Sequence, residues 1–438
     1  MKYVCKVNKE DKYCEDSCEV VVLENNKIFT YTFWEQSIKK VFGKYKNEAI
    51  DLLYISLFVF YIDRVLSRDT SKDSWSREID VNFPVLELEK WDKNKELLQT
   101  MLNFLSGDFW KIEFRKRNIT KQEERYLSKI ETKENNITSI SMFSGGLDSF
   151  IGAIDLLEEG ENVCFISHYG GGKGTKEFQE YLRNILLKEY KLDDNNFFYF
   201  YATAKDGVED TTRTRSFMFF SHAIAIASTL NKEIALVIPE NGLISLNIPL
   251  TYSRLGTSST RTTHPYYMEL FQNLINNLGF EINMRNPYQF KTKGEMIKEC
   301  KNIDLLVNNI HMTMSCSHPD AGRMFKETEA KHCGYCLPCV VRRAAIEFGI
   351  GNDVTEYRDK DFKKHKVAKE NLNSYLIGMK KYNPLNTKIK VQLSGKIKED
   401  IDLYANLYDR GMTELKNVLE KYYEWYFFTW YSFTFRFV

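Results

Sequence analysis

The sequence predicts an α/β fold with a parallel sheet. From residue 137 to residue 351, short apolar runs alternate with longer segments whose apolar residues recur every three or four positions. A glycine-rich hexapeptide, SGGLDS at 144–149, joins the first apolar run to the first helical segment. Strands that alternate with helices form right-handed βαβ units, so the strands lie parallel and helices cover both faces of the sheet.

The predicted elements of this region follow from its apolar periodicity. Strands are predicted at 137–143, 163–167, 197–201 and 233–238, and helices at 147–158, 177–190 and 215–230. In the first helix, Phe150, Ile151 and Ile154 recur at helical spacing. Gly160 follows the end of that helix, as expected for a stop. The order of the elements places SGGLDS at a strand-to-helix junction.

Three regions are predicted along the chain. Residues 1–135 combine short strand-like runs with a strongly apolar helix over 49–67, which indicates an α+β domain. The polar segment 111–136 has the composition of a solvated connector, so we place a boundary near its end. Residues 136–351 hold the α/β domain, and residues 352–438 form an extension that is mainly helical with an aromatic end.

Charge and hydropathy argue against several classes of partner. The chain of 438 residues carries 61 basic and 60 acidic side chains, so no overall positive field recruits nucleic acid. The longest apolar stretch, 52–62, is shorter than the ~20 residues that cross a bilayer. The N-terminal residues lack the apolar core of a signal peptide. We therefore expect a cytoplasmic protein whose nine cysteines are mostly reduced or metal-bound.

The hexapeptide SGGLDS has the residues that an anion site needs. Gly145 and Gly146 allow a tight turn, and the helix start behind them offers free N–H groups and a positive dipole end. Ser144 and Ser149 add hydroxyl donors, while Asp148 either binds Mg²⁺ or orders the loop as a cap. An ordinary glycine turn capped by serine is the structural alternative. The Walker A pattern is absent, which argues against γ-phosphoryl transfer.

Four cysteines have the spacing of a metal site. Cys316 is followed by Cys333, Cys336 and Cys339 in two consecutive CxxC steps. Four thiolates complete a tetrahedron around Zn²⁺, and a closed site of this kind shapes a domain without activating water. A redox pair with two further thiols and an iron–sulfur cluster are the alternatives. The spacing favours a structural zinc ion.

In its strand-loop-helix context, SGGLDS resembles the loop of the PP-loop superfamily, the N-type ATP pyrophosphatases with an adenine nucleotide α-hydrolase-like fold. The resemblance implies ATP with Mg²⁺, cleavage between the α and β phosphates, and release of AMP and pyrophosphate. It also implies that residues beside the loop touch the nucleotide. Phe143 therefore joins the six residues of the hexapeptide, Leu147 among them, in the predicted cofactor-binding set.

SGGLDS, the downstream cysteines and the Arg342–Arg343 pair together closely resemble the QueC family of 7-cyano-7-deazaguanine synthases. The resemblance covers about residues 137–351. Chain length and the added ends look most like QatC, the QueC-like component of Qat anti-phage defence systems. The family likeness implies adenylation of a 7-deazaguanine carboxylate, and the defence likeness implies a partner protein from the same system.

Further site residues are assigned from this resemblance. Tyr169 stands where the family has a Tyr-Gly pair, and with His168 it is predicted to bind the cofactor. The family's next residues, Gln-Arg-His, are replaced by the glycine-rich segment 171–174. Arg215 matches an arginine before an apolar helix, and Lys293 matches a Thr-Lys segment. Both are predicted to be catalytic, together with Ser144, Asp148 and Ser149 of SGGLDS. The alternative for each is an ordinary surface residue without a catalytic role.

A long polar loop, 239–265, follows the strand predicted at 233–238. Ligands of open α/β sheets bind at the carboxyl ends of the strands, and long loops within compact domains are commonly functional. We predict that Glu240, Asn241, Arg261 and Thr262 bind the deazapurine. Taken alone, Glu240 is more typical of a solvated side chain.

These observations lead to one predicted function and several rivals. The predicted enzyme adenylates a 7-deazaguanine carboxylate and forms an amide with ammonia or with the N-terminus of a partner protein. The rivals are 7-cyano-7-deazaguanine synthesis proper, modification of tRNA by the same ATP chemistry, and a defence subunit that binds nucleotide without turnover. The net charge of +1 gives no support to the RNA-binding rival.

Overall fold

The computed structural model describes residues 1–170, 173–211, 213–250, 261–322, 327 and 329–422. Part of the glycine-rich segment 171–174, the centre of the predicted substrate loop and the aromatic end at 423–438 lie outside these residues.

Strands and helices alternate through most of the described chain. The strands are β1 Lys2–Lys6, β2 Glu19–Val22, β3 Phe29–Tyr31, β4 Glu78–Val85, β5 Phe109–Lys116, β6 Ser139–Met142, β7 Val163–Tyr169, β8 Phe197–Ala204, β9 Ile234–Val237 and β10 Ile282–Arg285. The helices of the first two thirds are α1 Phe33–Ser37, α2 Asn47–Val65, α3 Leu88–Lys93, α4 Lys95–Ser106, α5 Lys121–Leu127, α6 Leu147–Glu158, α7 Lys173–Tyr190, α8 Arg215–Ser228 and α9 Gly242–Ser245. They are followed by α10 Pro265–Asn277, α11 Lys293–Lys298, α12 Ile303–Asn309, α13 Leu337–Gly349, α14 Lys366–Lys380, α15 Thr387–Ser394 and α16 Ile401–Leu419.

Two sheets organise these elements. The smaller sheet has the order β2-β1-β4-β5, and its paired strands are all parallel. The larger sheet has the order β10-β9-β6-β7-β8-β3 and is parallel except for β3, which runs antiparallel to β8. The predicted α/β class with a parallel sheet is thus confirmed.

The central strands are apolar because both of their faces are covered. All four residues of β6 are buried, and six of the seven residues of β7 are buried. Helix α8 packs against β6, β7 and β9 on one side and against α2 on the other. Helix α2 in turn packs against α8 and β8 of the larger sheet and against β4 of the smaller sheet, which explains why it is apolar around most of its circumference. Among the described helices, none combines the length and apolarity that a membrane span requires.

The N-terminal region shares its core with the larger sheet. Strand β3 adds to the sheet edge, with Phe29 opposite Ala204 and Tyr31 opposite Ala202. Buried residues of β1, α2, β4, α4, β6 and α8 belong to one continuous apolar cluster. The C-terminal helices α14 and α16 pack in a separate cluster with α13. The domain boundaries near residues 135 and 351 stay predictions.

The order of strands creates a topological switch point. From β6 the chain adds β7 and β8 on one side, and it then crosses back to place β9 and β10 on the other side of β6. Ligands of open parallel sheets bind outside the carboxyl ends of the strands at such a reversal. The loops that follow β6 and β9 therefore define the candidate site.

Candidate active site and cysteine cluster

The loop after β6 is a tight turn held by its own hydroxyl groups. Gly145 has a φ of +79°, a left-handed conformation that favours glycine. Ser144 Oγ lies 3.1 Å from Ser149 Oγ and accepts a hydrogen bond from the Gly146 N–H at 3.3 Å. Ser149 Oγ also donates to the Gly146 carbonyl at 3.0 Å. These contacts join the loop to the first turn of α6, where the helix has free N–H groups.

Gln179 ties this loop to the neighbouring strand, and sequence reasoning missed it. Its Nε2 donates to the carbonyl oxygens of Ser144 and His168, each at 3.1 Å. Gln179 is fully buried on the face of α7 that carries Leu182 and Leu186. A glutamine at an apolar position of an amphipathic helix was the available signal, because a buried amide requires polar partners.

Four predicted residues from distant segments meet beside the loop. Lys293 Nζ lies 2.7 Å from Asp148 Oδ1. Asn241 donates to Asp148 Oδ2 from its backbone N–H at 3.1 Å and from Nδ2 at 2.7 Å, and Nδ2 also reaches Glu240 Oε1 at 3.2 Å. Lys293 is the first residue of α11, which begins at this point because Thr292 caps the helix.

The two carboxyl groups of this cluster have opposite pKa shifts. Burial by itself would raise the pKa of Asp148, but the Lys293 ammonium and the hydrogen bonds to the carboxylate hold that pKa below its usual value. Burial and the nearby Asp148 charge raise the pKa of the half-buried Glu240 well above its usual value. The cluster therefore holds one ionised carboxylate against an ammonium, next to a carboxyl group that retains its proton more readily.

His168, Tyr169 and Arg215 line the adjacent part of the sheet edge. Burial, followed by the positive charge of Arg215, lowers the pKa of His168 well below its usual value. The Tyr169 ring lies 5.3 Å from the Tyr201 ring. The Arg215 side chain is exposed at the start of α8, and no described residue forms an ion pair with it. Arg215 is thus a cation without a protein counter-ion in the described part of the chain.

Buried polar atoms around the loop fit a polar ligand. His168 Nε2, Gln179 Oε1 and Ser315 Oγ are buried and have no hydrogen-bond partner among the described residues. Ser315 follows Met314, whose N–H donates to the Gly145 carbonyl at 2.8 Å. Such atoms are costly in a folded protein unless a ligand or water satisfies them. These atoms, which surround the loop, are therefore available to a polar ligand bound there.

A magnesium ion fits Asp148 less well than the sequence indicates. Both carboxylate oxygens of Asp148 are already engaged, one by Lys293 and the other by Asn241. A metal ion on Asp148 would have to displace the ammonium. Mg²⁺ binds phosphate oxygens and needs few protein ligands, so a metal ion would not depend on Asp148.

The far end of the predicted substrate loop has other neighbours. Arg261 Nη1 donates to the Phe104 carbonyl at 2.6 Å, and its guanidinium lies 4.4 Å from the centre of the Phe104 ring. Thr262 is half-buried in the turn before α10. Glu240 and Asn241 thus meet Asp148, whereas Arg261 contacts α4. A substrate role for Arg261 and Thr262 stays a prediction.

The four predicted cysteines form one compact cluster. The sulfur atoms of Cys316, Cys333, Cys336 and Cys339 all lie within 4.8 Å of one another. Cys316 Sγ is 3.9 Å from Cys336 Sγ, and Cys333 Sγ is 3.8 Å from Cys339 Sγ. A zinc tetrahedron with bonds of about 2.3 Å has sulfur–sulfur edges of about 3.8 Å. The cluster therefore fits a structural zinc ion.

Backbone N–H groups support the thiolate form of the cluster. The N–H groups of His318 and Cys333 donate to Cys316 Sγ, each at 3.3 Å, and the Cys336 N–H donates to Cys333 Sγ at 3.2 Å. Such bonds stabilise negative sulfur and orient metal ligands. The bonds from His318 and Cys336 are local in sequence, whereas the bond from Cys333 to Cys316 joins the two segments of the cluster.

A short path connects the cysteine cluster to the loop after β6. His332 Nδ1 lies 3.7 Å from Cys339 Sγ, and His332 Nε2 lies 2.9 Å from the Thr313 carbonyl. The next residue, Met314, donates to Gly145. The buried Arg342 donates to Thr313 Oγ1 at 2.5 Å. Arg342 thus holds the connecting segment, and the cluster supports the loop through that segment.

Comparison with known proteins gives one family match. Residues 261–348 match the family model QueC, described as "Queuosine biosynthesis protein QueC". The matched residues include Lys293 and the four cysteines, whereas SGGLDS lies outside them. No curated protein matches the chain. The match covers less than a quarter of the sequence, and it supports a QueC-like domain whose Lys293 reaches Asp148 in the loop after β6.

Proposed function

We propose that this chain is a PP-loop enzyme that uses ATP to adenylate the carboxylate of a 7-deazaguanine. The observation that carries the proposal is the meeting of Asp148, Asn241 and Lys293 at the switch point of the parallel sheet, beside the glycine turn. This arrangement offers N–H groups, hydroxyls and an ammonium where a nucleotide binds in such folds. The QueC match supplies the substrate class.

In the proposed reaction, a substrate carboxylate oxygen attacks the α-phosphorus of ATP. The bond from that phosphorus to the oxygen bridging the β-phosphorus breaks, and pyrophosphate leaves. The N–H groups and hydroxyls of Ser144, Gly146 and Ser149 stabilise the pyrophosphate charge, and Arg215 supplies a further cation at the sheet edge. A Mg²⁺ ion bound to the phosphate oxygens would neutralise part of their negative charge. An amine then attacks the acyl carbon, loses a proton and releases AMP.

Glu240 has a shifted pKa that suits recognition of a heterocycle. A protonated carboxyl both donates and accepts a hydrogen bond, while an ionised one only accepts. The raised pKa of Glu240 favours the first form when Asp148 is ionised beside it. Glu240 and Asn241 are therefore the proposed contacts to the polar edge of the deazapurine.

The finer proposal concerns the amine. We propose that the acceptor is the N-terminal amine of a partner protein in a Qat-like anti-phage system. An α-amine with a pKa near ~7.7 is unprotonated at neutral pH far more often than a lysine at ~10.4. The glycine-rich segment that replaces Gln-Arg-His supports this idea, although part of it lies outside the described residues. Ammonia as acceptor, with nitrile as product, is the alternative.

The adenylation step is tested with purified protein, ATP and 7-carboxy-7-deazaguanine. We expect AMP and pyrophosphate in equal amounts, and no turnover by a folded Ser144→Ala variant. ADP as the main product would overturn the PP-loop assignment. Nucleotide binding without turnover, with every amine tested, would favour the non-catalytic alternative.

The acceptor is tested by intact-mass measurement of the partner protein after co-expression. The wild-type enzyme should add the mass of a deazaguanine acyl group, and Ser144→Ala should leave the partner unmodified. An unchanged partner together with free 7-cyano-7-deazaguanine would establish nitrile synthesis. Modification of tRNA nucleobases with an unchanged partner would favour the RNA rival.

A further inference from the structure

A buried ionic cluster of the N-terminal region lies beside the start of α8. Asp63 near the end of α2 and Asp108 before β5 are both 2% exposed or less, and Arg77 between them is 2% exposed. Arg77 Nη2 lies 2.5 Å from Asp63 Oδ1 and 2.6 Å from Asp108 Oδ2. Arg68 Nη1 lies 2.8 Å from Asp108 Oδ1. Replacing such a cluster by well-packed apolar residues is often neutral or stabilising, so a contribution to stability does not by itself explain why the cluster is present.

The cluster holds the backbone immediately before α8. Thr214, which is fully buried, donates to Asp63 Oδ2 from Oγ1 at 2.8 Å and from its N–H at 3.4 Å. Arg213 donates from Nη1 to the Ser106 carbonyl at 2.8 Å, and its guanidinium lies 4.9 Å from the centre of the Trp75 ring. Two consecutive residues are therefore anchored to elements of the N-terminal region.

The next residue is Arg215, the first residue of α8. Because Thr214 is anchored by two hydrogen bonds to a buried carboxylate, the direction in which α8 starts is fixed. The Arg215 side chain is exposed and is not held by an ion pair to any described residue. Its position therefore depends on the backbone that carries it.

We propose that Asp63, acting through Thr214, is a positioning residue for Arg215, and that the N-terminal region is part of the catalytic unit. The inference rests on the proposed function, in which Arg215 meets the nucleotide phosphates or the adenylate. The ionic cluster, which belongs to the N-terminal region, would then fix the position of a cation at the edge of the larger sheet. A one-ångström misplacement of such a cation lowers the rate substantially.

The test is a double-mutant cycle on ATP cleavage. Thr214→Val removes the hydroxyl and keeps the shape of the side chain, and we expect kcat/KM to fall about 10- to 100-fold, the effect of a cation misplaced by about one ångström. Thr214→Ser retains the hydroxyl and should keep most of the activity. Since Thr214 acts through Arg215, the double variant Thr214→Val/Arg215→Ala should be no worse than Arg215→Ala alone.

Asp51→Asn is the matched control. Asp51 is another fully buried aspartate of α2, and it accepts hydrogen bonds from Leu86 and Trp91 without touching the start of α8. Asp51→Asn should lower the melting temperature and leave kcat/KM unchanged. If Thr214→Val and Arg215→Ala have multiplicative effects, or if Asp51→Asn lowers kcat/KM as much as Thr214→Val does, positioning is wrong.

Crystal structures separate this inference from the proposed function. The Arg215 guanidinium should be displaced or disordered in Thr214→Val and unchanged in Asp51→Asn, whether or not the wild-type protein cleaves ATP. An unmoved Arg215 in Thr214→Val would overturn the positioning role. A wild-type protein that cleaves no ATP, with Arg215 displaced in Thr214→Val, would overturn the proposed function and leave the positioning supported.

Discussion

Lys293 Nζ lies 2.7 Å from Asp148 Oδ1, and this ion pair joins the first turn of α6 to the first turn of α11. Both residues are 6% exposed. Asn241 completes the arrangement from the loop after β9. A buried carboxylate needs such partners, because an unpaired charge in this position is strongly unfavourable.

The first prediction concerns this ion pair. Lys293→Met leaves the Asp148 carboxylate buried without its cation, so we expect a loss of about 3–5 kcal/mol in the free energy of unfolding and loss of ATP cleavage. The double variant Asp148→Asn/Lys293→Met removes both charges and should regain much of the stability but no activity. Urea denaturation and a pyrophosphate assay measure the two quantities. Equal stability of the single and the double variant would contradict the pairing.

The second prediction compares two glycines with nearly the same positive φ. Gly145 has a φ of +79° and Gly160 a φ of +78°. A Cβ at Gly145 would lie 2.8 Å from Gln179 Cγ, whereas a Cβ at Gly160 would have no atom within 4 Å. Gly160→Ala should cost about 1–2 kcal/mol through backbone strain alone. Gly145→Ala should cost more and also weaken ATP binding, measured by calorimetry, and equal effects would show that the contact with Gln179 is unimportant.

The third prediction concerns the cysteine cluster. Metal analysis should find about one zinc ion per chain, as the tetrahedral Cys₄ site requires. Cys336→Ser should lower both the zinc content and the melting temperature, because metal binding contributes to folding. Cys164→Ser is a suitable control, since Cys164 is a buried cysteine of β7 outside the cluster. Stoichiometric iron with visible absorbance would show that the four cysteines hold an iron–sulfur cluster and that the zinc assignment is wrong.

The fourth prediction concerns Glu414 in α16. Burial raises the pKa of Glu414 from 4.5 to about 7, and its carboxyl accepts a hydrogen bond from Thr292, the residue that caps α11. A carboxyl whose pKa is raised by folding favours the folded state fully below pH 4.5, and this contribution is lost as the pH rises through about 7. The loss is at most about 3 kcal/mol.

Glu414→Gln keeps a hydrogen-bond acceptor and removes the charge. Between pH 5 and pH 9, the melting temperature of the wild-type protein should fall relative to that of Glu414→Gln. Differential scanning fluorimetry at matched ionic strength measures both profiles. Parallel profiles would show that Glu414 does not ionise in this range with a raised pKa.

The parallel sheet and the glycine turn could be predicted because their signals are local. The residues of β6 and β7 are apolar in continuous runs, which is typical of strands covered on both faces. Gly145 and Gly146 are adjacent in sequence, and Cys333, Cys336 and Cys339 follow one another at intervals of three residues. The hydrogen bonds from Gln179 to the loop could not be predicted, because the periodicity of a helix does not indicate which carbonyl groups a buried amide will contact.

What the sequence by itself determined is the set of local elements: strands, helices, a glycine turn and two CxxC steps, each specified by residues within a few positions of one another. What only the tertiary structure decided is which of them meet. The crossing of the chain from β8 to β9 brings Asn241 and Lys293 to Asp148, and it turns Arg261 towards Phe104. The physical reason is that buried charged and polar groups need hydrogen-bond or ionic partners. Those partners come from distant segments, and the packing of the sheet and helices determines which segments lie close enough.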